Sequence, residues 1–169
     1  MQRKENVVGY IYGDVHPTEF KFAANGQEIK KFDYIFAPHK EGQMLAQIID
    51  ITQQSNLKLE NISTLMSEEE HPAVKTKLIA SVDVIGYRDK QGLLQSPRTP
   101  FNAGSEVCLA DEGLIRDVLG LSAAKENGAY IGLLKGHNLP VFLNVDTLVQ
   151  KHICILAQHP FFDIILKID

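Results

Sequence analysis

The first half of the chain alternates short apolar runs with turn sequences. The runs are rich in aromatic and β-branched residues, and His-Pro, Asn-Gly and Glu-Gly dipeptides separate them. Runs of this length and composition predict β-strands, which we place at 7–15, 18–24, 32–38 and 44–51. Their close spacing is typical of a small barrel or sandwich.

A longer strand is predicted over 74–89. Polar and apolar residues alternate at its start before the segment becomes more apolar, and we expect a bend near Ser81. Together, 7–51 and 74–107 should form a closed or nearly closed antiparallel barrel, because closure removes the exposed edges of short apolar strands. The predicted fold class is therefore mainly β, a small β-barrel with minor α.

Two segments beside these strands carry other signals. The acidic stretch 60–72 ends at a proline and predicts a loop or one short surface helix, more simply a solvated excursion than an acidic binding site. One clear helix is predicted further on, where Asp111 can cap its N-terminus and Gly120 can end it. The apolar residues between them repeat at helical spacing, and we expect this helix to cover one opening or one flank of the barrel.

The last third of the chain predicts a β-hairpin, one further strand and an apolar tail. A β-hairpin is expected from 129–134 and 141–145, followed by a continuous apolar strand over 153–157. The tail from Pro160 onward is also apolar and rich in strand-forming residues. We expect this tail to pair with the strand or hairpin of its own chain, or with a second molecule.

Composition narrows the class of protein. The 169 residues are 44% hydrophobic and 22% charged, the mixture of an ordinary globular protein. No apolar run approaches the ~20 residues of a membrane span, and we expect a cytoplasmic protein without membrane contact. The net charge of -4 disfavours non-specific coating of nucleic acid, although a local basic patch stays open. Cys108 and Cys154 lie far apart and predict reduced thiols.

Motifs for catalysis, metals and cofactors are missing from the sequence. The six histidines lack the spacing that places two metal ligands on one helix face, and no nucleophile motif occurs. The strand over 153–157 is followed by Gln158 rather than by the glycines, Lys and Ser or Thr of a phosphate-binding loop. We therefore expect no enzyme and no cofactor. Lys135 and Lys151 are the nearest candidates for phosphate contact, and a lone lysine on a hairpin is usually solvated.

Three blocks of the sequence, spread over 7–157, carry a family resemblance. They are "VVGYIYGDVHPTEFKF", "VIGYRDKQGLLQSPRTPFNAGSEVCLADEGLIRDVLGL" and "AYIGLLKGHNLPVFLNVDTLVQKHICILA". In order and spacing they resemble the amino-terminal part of HerA-type archaeal and bacterial DNA translocases. The resemblance implies a HAS-type barrel with a capping helix over 1–122. It also implies that 123–169 holds the hairpin and first strand of a RecA-like motor core, truncated before the phosphate-binding loop.

The resemblance implies a function without catalysis. In that family the barrel helps to build a ring and docks a nuclease during DNA end processing, so we expect a non-catalytic assembly and docking module. Its partners would be a HerA-associated nuclease and other HerA-like subunits, with DNA contacted only weakly or indirectly. Without the motor we expect a monomer or a small, weak oligomer that neither binds nor hydrolyses ATP appreciably. The alternative is a barrel that binds single-stranded nucleic acid or a nucleotide.

Two polar turns are the expected contact surface of such a module, because strand ends carry accessible residues. The turns are "GDVHPTE" and "GYRDKQG", and their candidate contact residues are Asp14, Glu19, Arg88 and Asp89. The simpler explanation of these four residues is that they form solvated turns. For the alternative function, aromatic residues near the start of the chain could form a stacking platform, although Phe20 and Phe22 are more simply barrel core.

Overall fold

Seven strands and one helix are described in the first part of the protein. The computed structural model describes residues 6–56, 75–121 and 128–146, and the backbone of 153–156 and 165–168. The chain divides into two compact units, Met1–Val118 and Leu119–Asp169. The strands of the first unit are β1 (Val7–Tyr12), β2 (Glu19–Ala24), β3 (Tyr34–His39), β4 (Gly42–Ser55), β5 (Thr76–Arg88), β6 (Leu94–Gln95) and β7 (Glu106–Leu109). The helix α1 spans Glu112–Leu119.

The first unit is a closed antiparallel barrel. Its strand order is β2-β1-β7-β3-β4-β5, and β5 pairs again with β2 to close the ring of six. The short strand β6 extends the sheet by pairing with the end of β5. The predicted barrel with minor α is confirmed, and the long strand predicted over 74–89 is present as β5. The first strand is shorter than predicted, because a turn with Gly13 at a φ of 74° follows Tyr12.

One cluster of inward-facing side chains fills the barrel. Phe20 and Phe22 belong to it, with 3% and 0% of their surface exposed, as predicted from the sequence. Alternation along each strand supplies most of the remaining members. They are Val8, Ile11, Ile29, Ile35, Ala37, Met44, Ala46, Ile48, Ala80, Val82, Phe101 and Val107.

Three β-bulges interrupt the barrel strands. One makes Ile85 of β5 the extra residue opposite Leu45 and Ala46, and the other two lie in β1 and β4. Opposite β7, β1 places Val7 against Cys108 and Gly9 against Val107, so that Val8 is the extra residue. Opposite β5, β4 places Ile48 against Val82 and Asp50 against Ser81, which makes Ile49 the extra residue. A bulge inserts one residue and resets the alternation. The bulge in β4 lets Ile48 lie in the core and Ile51 pack against it, while Ile49 between them is 39% exposed.

The loop between β6 and β7 packs against one end of the barrel. Phe101 in this loop is 4% exposed, and its ring centroid lies 4.9 Å from that of Phe20 and 5.0 Å from that of His39. The His39 Nε2 atom lies 3.1 Å from the Thr99 carbonyl oxygen and 3.2 Å from the Thr99 hydroxyl. The loop is therefore held by an apolar anchor and a partly buried polar contact.

The helix α1 begins and ends as its sequence predicts. The Asp111 Oδ1 atom accepts a hydrogen bond from the Leu114 N–H at 2.8 Å, and Gly120 adopts a φ of 68° after the last turn. Ile115 and Val118 are buried. This cap and stop confirm the helix predicted between Asp111 and Gly120.

The helix covers a flank of the barrel. Leu45 is fully buried although its neighbours on β4, Met44 and Ala46, occupy the interior, so its side chain lies on the outer face beneath a cover. Leu114 and Asp117 of α1 line a groove together with outer-face residues of β3, β4 and β7, among them Phe36, Gln43 and Cys108. We call this side of the barrel the covered flank.

The described residues of the second unit form two short antiparallel ribbons. The strands β8 (Gly128–Leu133) and β9 (Pro140–Asn144) form the predicted hairpin. The strand β10 (Ile153–Leu156) pairs with β11 (Ile165–Ile168), which confirms the expectation that the tail pairs with the apolar strand of its own chain.

Some sequence predictions lie outside the described residues. The acidic stretch 60–72 is one, and the predicted domain boundary at 122 is another. Among the residues that the structure does describe, no helix is long and apolar enough to cross a membrane.

Candidate docking surface

The outer side of β1, β2 and β5 is not covered by α1. Ile11 faces the barrel interior, so Tyr10 and Tyr12 on either side of it face outward, with 47% and 38% of their surface exposed. Lys21 lies between the core residues Phe20 and Phe22 and is likewise exposed. The wall therefore presents two tyrosines and a lysine to the surroundings.

Strand pairing brings these side chains into rows across the wall. Tyr12 lies directly opposite Lys21, and Lys21 lies opposite Ser81. In the next row Tyr10 lies opposite Glu106 of β7, which is exposed and also borders the groove beside α1. Directly opposite residues have Cβ atoms about 4.5–5.5 Å apart. Residues far apart in the sequence thus form one continuous surface.

Carboxylates dominate the charge of this surface. Glu19 lies opposite Asp83, an exposed pair of like charges on neighbouring strands. We name the whole surface the tyrosine face and define it as Tyr10, Tyr12, Asp14, Glu19, Lys21, Ile49, Asp50, Ser81, Asp83 and Glu106. Its five carboxylates and one lysine give a formal charge of -4. None of the five carboxylates forms an ion pair with another described residue.

A cleft opens on the tyrosine face beside the β1–β2 turn. Tyr12, Asp14, Lys21 and Ile49 are among its lining residues. The turn is fixed by backbone hydrogen bonds: the His16 N–H donates to the Glu19 carbonyl at 2.9 Å, and the Val84 N–H donates to the Thr18 carbonyl at 2.8 Å. Ile49, at the bulge, supplies part of the apolar lining together with Phe20 and Val82.

Two of the four candidate contact residues lie on this face. Asp14 and Glu19 are both exposed there. Arg88 and Asp89 lie five and six residues beyond Asp83 along the chain, about 17 Å or more away at ~3.3 Å per residue of strand. The structure therefore brings one pair of candidates onto the tyrosine face and places the other pair elsewhere.

Arg88 and Asp89 organise the turn between β5 and β6. The Arg88 Nε atom donates to the Asp117 carbonyl of α1 at 2.6 Å, and its Nη1 atom donates to the Gly92 carbonyl. The Asp89 carboxylate accepts hydrogen bonds from the backbone N–H groups of Leu93 and Gln91, and from the Gln95 side chain. These bonds, the one from Leu93 foremost, lower the pKa of Asp89 below its ordinary value.

The two lysines considered for phosphate contact have different positions. Lys135 is exposed in the loop between β8 and β9. Lys151 lies outside the described residues. Within the described ranges, no group of three or more His, Cys, Asp or Glu side chains is placed to hold a metal ion.

Sequence reasoning found only part of the tyrosine face. It identified Asp14 and Glu19 as exposed turn residues, whereas Asp50, Asp83 and Glu106 come from three other strands. The register of the closed barrel is the signal that unites them, and a single sequence does not give that register. No protein-family model and no curated protein matches this chain.

Proposed function

We propose that this chain is a non-catalytic docking module whose barrel binds a protein partner through the tyrosine face. The observation that carries the proposal is the exposure of Tyr10 and Tyr12 on a barrel wall that α1 leaves uncovered. Tyrosine is enriched in protein interfaces, because it combines a large apolar surface with a polar tip.

The resemblance to HerA-type translocases suggests which partners to test first. They are a HerA-associated nuclease and other HerA-like subunits, and the role would be assembly and docking during DNA end processing in the cytoplasm. In this proposal DNA is contacted weakly or indirectly, and the chain itself does not hydrolyse ATP. Asp14 and Glu19 would contribute to the partner contact, whereas Arg88 and Asp89 hold their own turn.

The second candidate function is a barrel that binds single-stranded nucleic acid or a nucleotide. Tyr10 and Tyr12 beside Lys21 favour it, because bases stack on exposed aromatic side chains and phosphates attract lysine. The charge of the face opposes it. Five carboxylates against one lysine would repel a phosphate backbone, which normally binds to a basic groove.

The test combines two binding partners with a matched pair of variants. The purified full chain is mixed with a HerA-associated nuclease and, separately, with labelled single-stranded DNA at about 0.15 M salt, which screens weak surface charge. Tyr12→Ala removes a ring from the tyrosine face. Tyr130→Ala is the control, because Tyr130 is 59% exposed on the hairpin of the second unit.

Each result decides between the two functions. Nuclease capture that Tyr12→Ala weakens and Tyr130→Ala preserves would support the docking module. Tight DNA binding that Tyr12→Ala abolishes would support the nucleic-acid barrel instead. Capture that neither variant changes would exclude Tyr12 from the contact and contradict the assignment to the tyrosine face.

A further inference from the structure

We infer that the partner segment bound by the tyrosine face is an extended stretch of chain that carries two arginines. This inference rests on the proposed docking function and specifies the chemistry of the occupant. Charge complementarity, the exposed rings and the positions of the carboxylates carry the argument.

The like-charge pair is the first reason. Glu19 and Asp83 lie directly opposite each other on β2 and β5, and both are exposed. Like charges in this arrangement destabilise a sheet. A cation placed over the pair would be attracted to both carboxylates and would offset the repulsion between them. A guanidinium suits the position, because it can donate to two oxygens at once.

The tyrosines supply the second reason. Tyr10 lies opposite Glu106, so a carboxylate and an exposed ring are neighbours on the outer wall. A guanidinium can stack on the ring while it donates to the carboxylate, and arginine does this better than lysine. The Glu106 and Tyr10 position therefore forms a second cation subsite.

The distance between the subsites defines the spacing of the two arginines. Tyr10 pairs with Ala23, so Glu106 lies in register with Ala23 and two strands away from β2. Glu19 lies four residues from Ala23, which is about 13 Å along the strand at ~3.3 Å per residue. Two strand spacings of ~4.8 Å add about 10 Å across the sheet. Measured between backbone positions along the sheet, the subsites are thus about 16 Å apart on the diagonal, and the curvature of the closed barrel spreads their outward side chains further.

An extended segment bridges this separation with a simple spacing. Residues i and i+4 span about 13 Å, residues i and i+6 span about 20 Å, and in both cases the side chains point to the same side. The reach of arginine covers the difference from about 16 Å. Lys21, between the subsites, disfavours a third cation at the centre of the segment.

Synthetic peptides test the inference directly on the full chain. The first peptide has two arginines at i and i+4 in a Gly-Ser-Thr background, and the second has them at i and i+6. In a third peptide glutamine replaces both arginines, and in a fourth the two arginines are adjacent. Binding is measured by fluorescence anisotropy at about 0.05 M and 0.15 M salt.

The expected result is binding of the two spaced arginine peptides at least tenfold tighter than that of the glutamine peptide. The adjacent-arginine peptide should bind more weakly than the spaced ones, because it reaches one subsite.

Glu19→Gln combined with Asp83→Asn should weaken binding of the spaced arginine peptides at least fivefold. Glu28→Gln is the control, because Glu28 is an exposed glutamate outside the tyrosine face, ion-paired with Lys30. The melting temperature of the double variant should be unchanged or higher, since the repulsive pair is gone.

The outcomes separate this inference from the docking function. Equal binding of the arginine and glutamine peptides, or equal weakening by Glu28→Gln, would overturn the arginine inference. If the nuclease is still captured in a Tyr12-dependent way, the docking function stands without it. Peptide binding that depends on Glu19 and Asp83 without nuclease capture would keep the arginine inference and reject that partner. Tight binding of labelled single-stranded DNA through Tyr12 would overturn both.

Discussion

The covered flank and the tyrosine face are two outer sides of one barrel, and they differ in the solvent exposure of their side chains. On the covered flank the outward residues Leu45 and Cys108 are 0% and 9% exposed. On the tyrosine face the outward residues Tyr10, Tyr12 and Ile49 are 47%, 38% and 39% exposed. Both sides follow the same strand alternation, and the difference is that α1 packs on only one of them.

The residue types match this difference. Leucine and cysteine gain stability only when water is excluded, so the flank that carries them needs a cover from its own chain. Tyrosines among carboxylates tolerate water and can still contribute apolar area to an interface. The residue types of the tyrosine face are therefore compatible with exposure to water, whereas those of the covered flank are not.

The test with the largest expected effect on stability replaces one residue on each side by alanine. Leu45→Ala should lower the free energy of unfolding by about 2–5 kcal/mol, because it leaves a cavity at a fully buried position. Tyr12→Ala should lower it by only about 1 kcal/mol, because a partly exposed strand residue contributes mainly through cross-strand packing. Urea denaturation measures both values. Similar losses in the two variants would show that the tyrosine face is as tightly packed as the covered flank.

The next test crowds the wall beneath the tyrosine face. A Cβ atom added to Gly9 would lie 2.2 Å from the Ala23 carbonyl oxygen and 2.7 Å from the Phe22 ring. Gly9→Ala should therefore force β1 and β2 apart and cost about 1–3 kcal/mol of unfolding free energy. It should also displace the neighbouring Tyr10 and weaken partner binding.

The control for this test is Gly13→Ala. Gly13 has a φ of 74°, and its added Cβ would meet nothing within 4 Å. It should show only a backbone cost of about 1 kcal/mol. A Gly9→Ala variant as stable as the wild type would contradict the close approach of the two strands.

The sequence predicted local features of the fold but not those that depend on long-range strand pairing. Strand positions, the Asp111 cap and the Gly120 stop were predicted, because their signals lie within a few residues. The bulges at Val8 and Ile49 were not, because an extra residue is recognisable only once its partner strand is known. Uninterrupted alternation would put Ile49 and Ile51 on one face, whereas the bulge leaves Ile49 exposed and packs Ile51 against the core.

The candidate site shows the same limit. Asp14 and Glu19 were predicted from one turn, since turn residues are accessible. Arg88 and Asp89 were selected by the same reasoning, yet their side chains hydrogen-bond to the backbone around them. A single sequence indicates that a polar residue lies in a turn but not whether the turn itself uses its hydrogen bonds.

A smaller effect on stability is expected from removing the N-cap of α1, the helix that packs on the covered flank. Asp111→Ala removes the acceptor for the Leu114 N–H, and such caps contribute about 0.5–2 kcal/mol. The variant should lose about 1 kcal/mol in urea denaturation, less than Leu45→Ala. Asp111→Asn is the control, because asparagine caps nearly as well. If both variants lose the same amount, the side-chain oxygen of residue 111 is not the stabilising group.

The smallest expected effect concerns Asp89, whose turn is joined to α1 through Arg88 and Asp117. The pKa of Asp89 is lowered in the folded state, so its carboxylate stabilises the fold above the unfolded pKa of about 3.8 and loses that contribution as the pH falls through the folded value. Asp89→Asn should therefore be less stable than the wild type at pH 7, and the gap should shrink below pH 4. Urea denaturation at pH 7, 5 and 3 measures the gap, with Tyr12→Ala as a control that alters no group titrating in this range. If the difference in free energy of unfolding stays constant to pH 3, it is set by the hydrogen bonds of asparagine rather than by loss of the charge. The turn beside the covered flank would then not depend on the ionisation of Asp89.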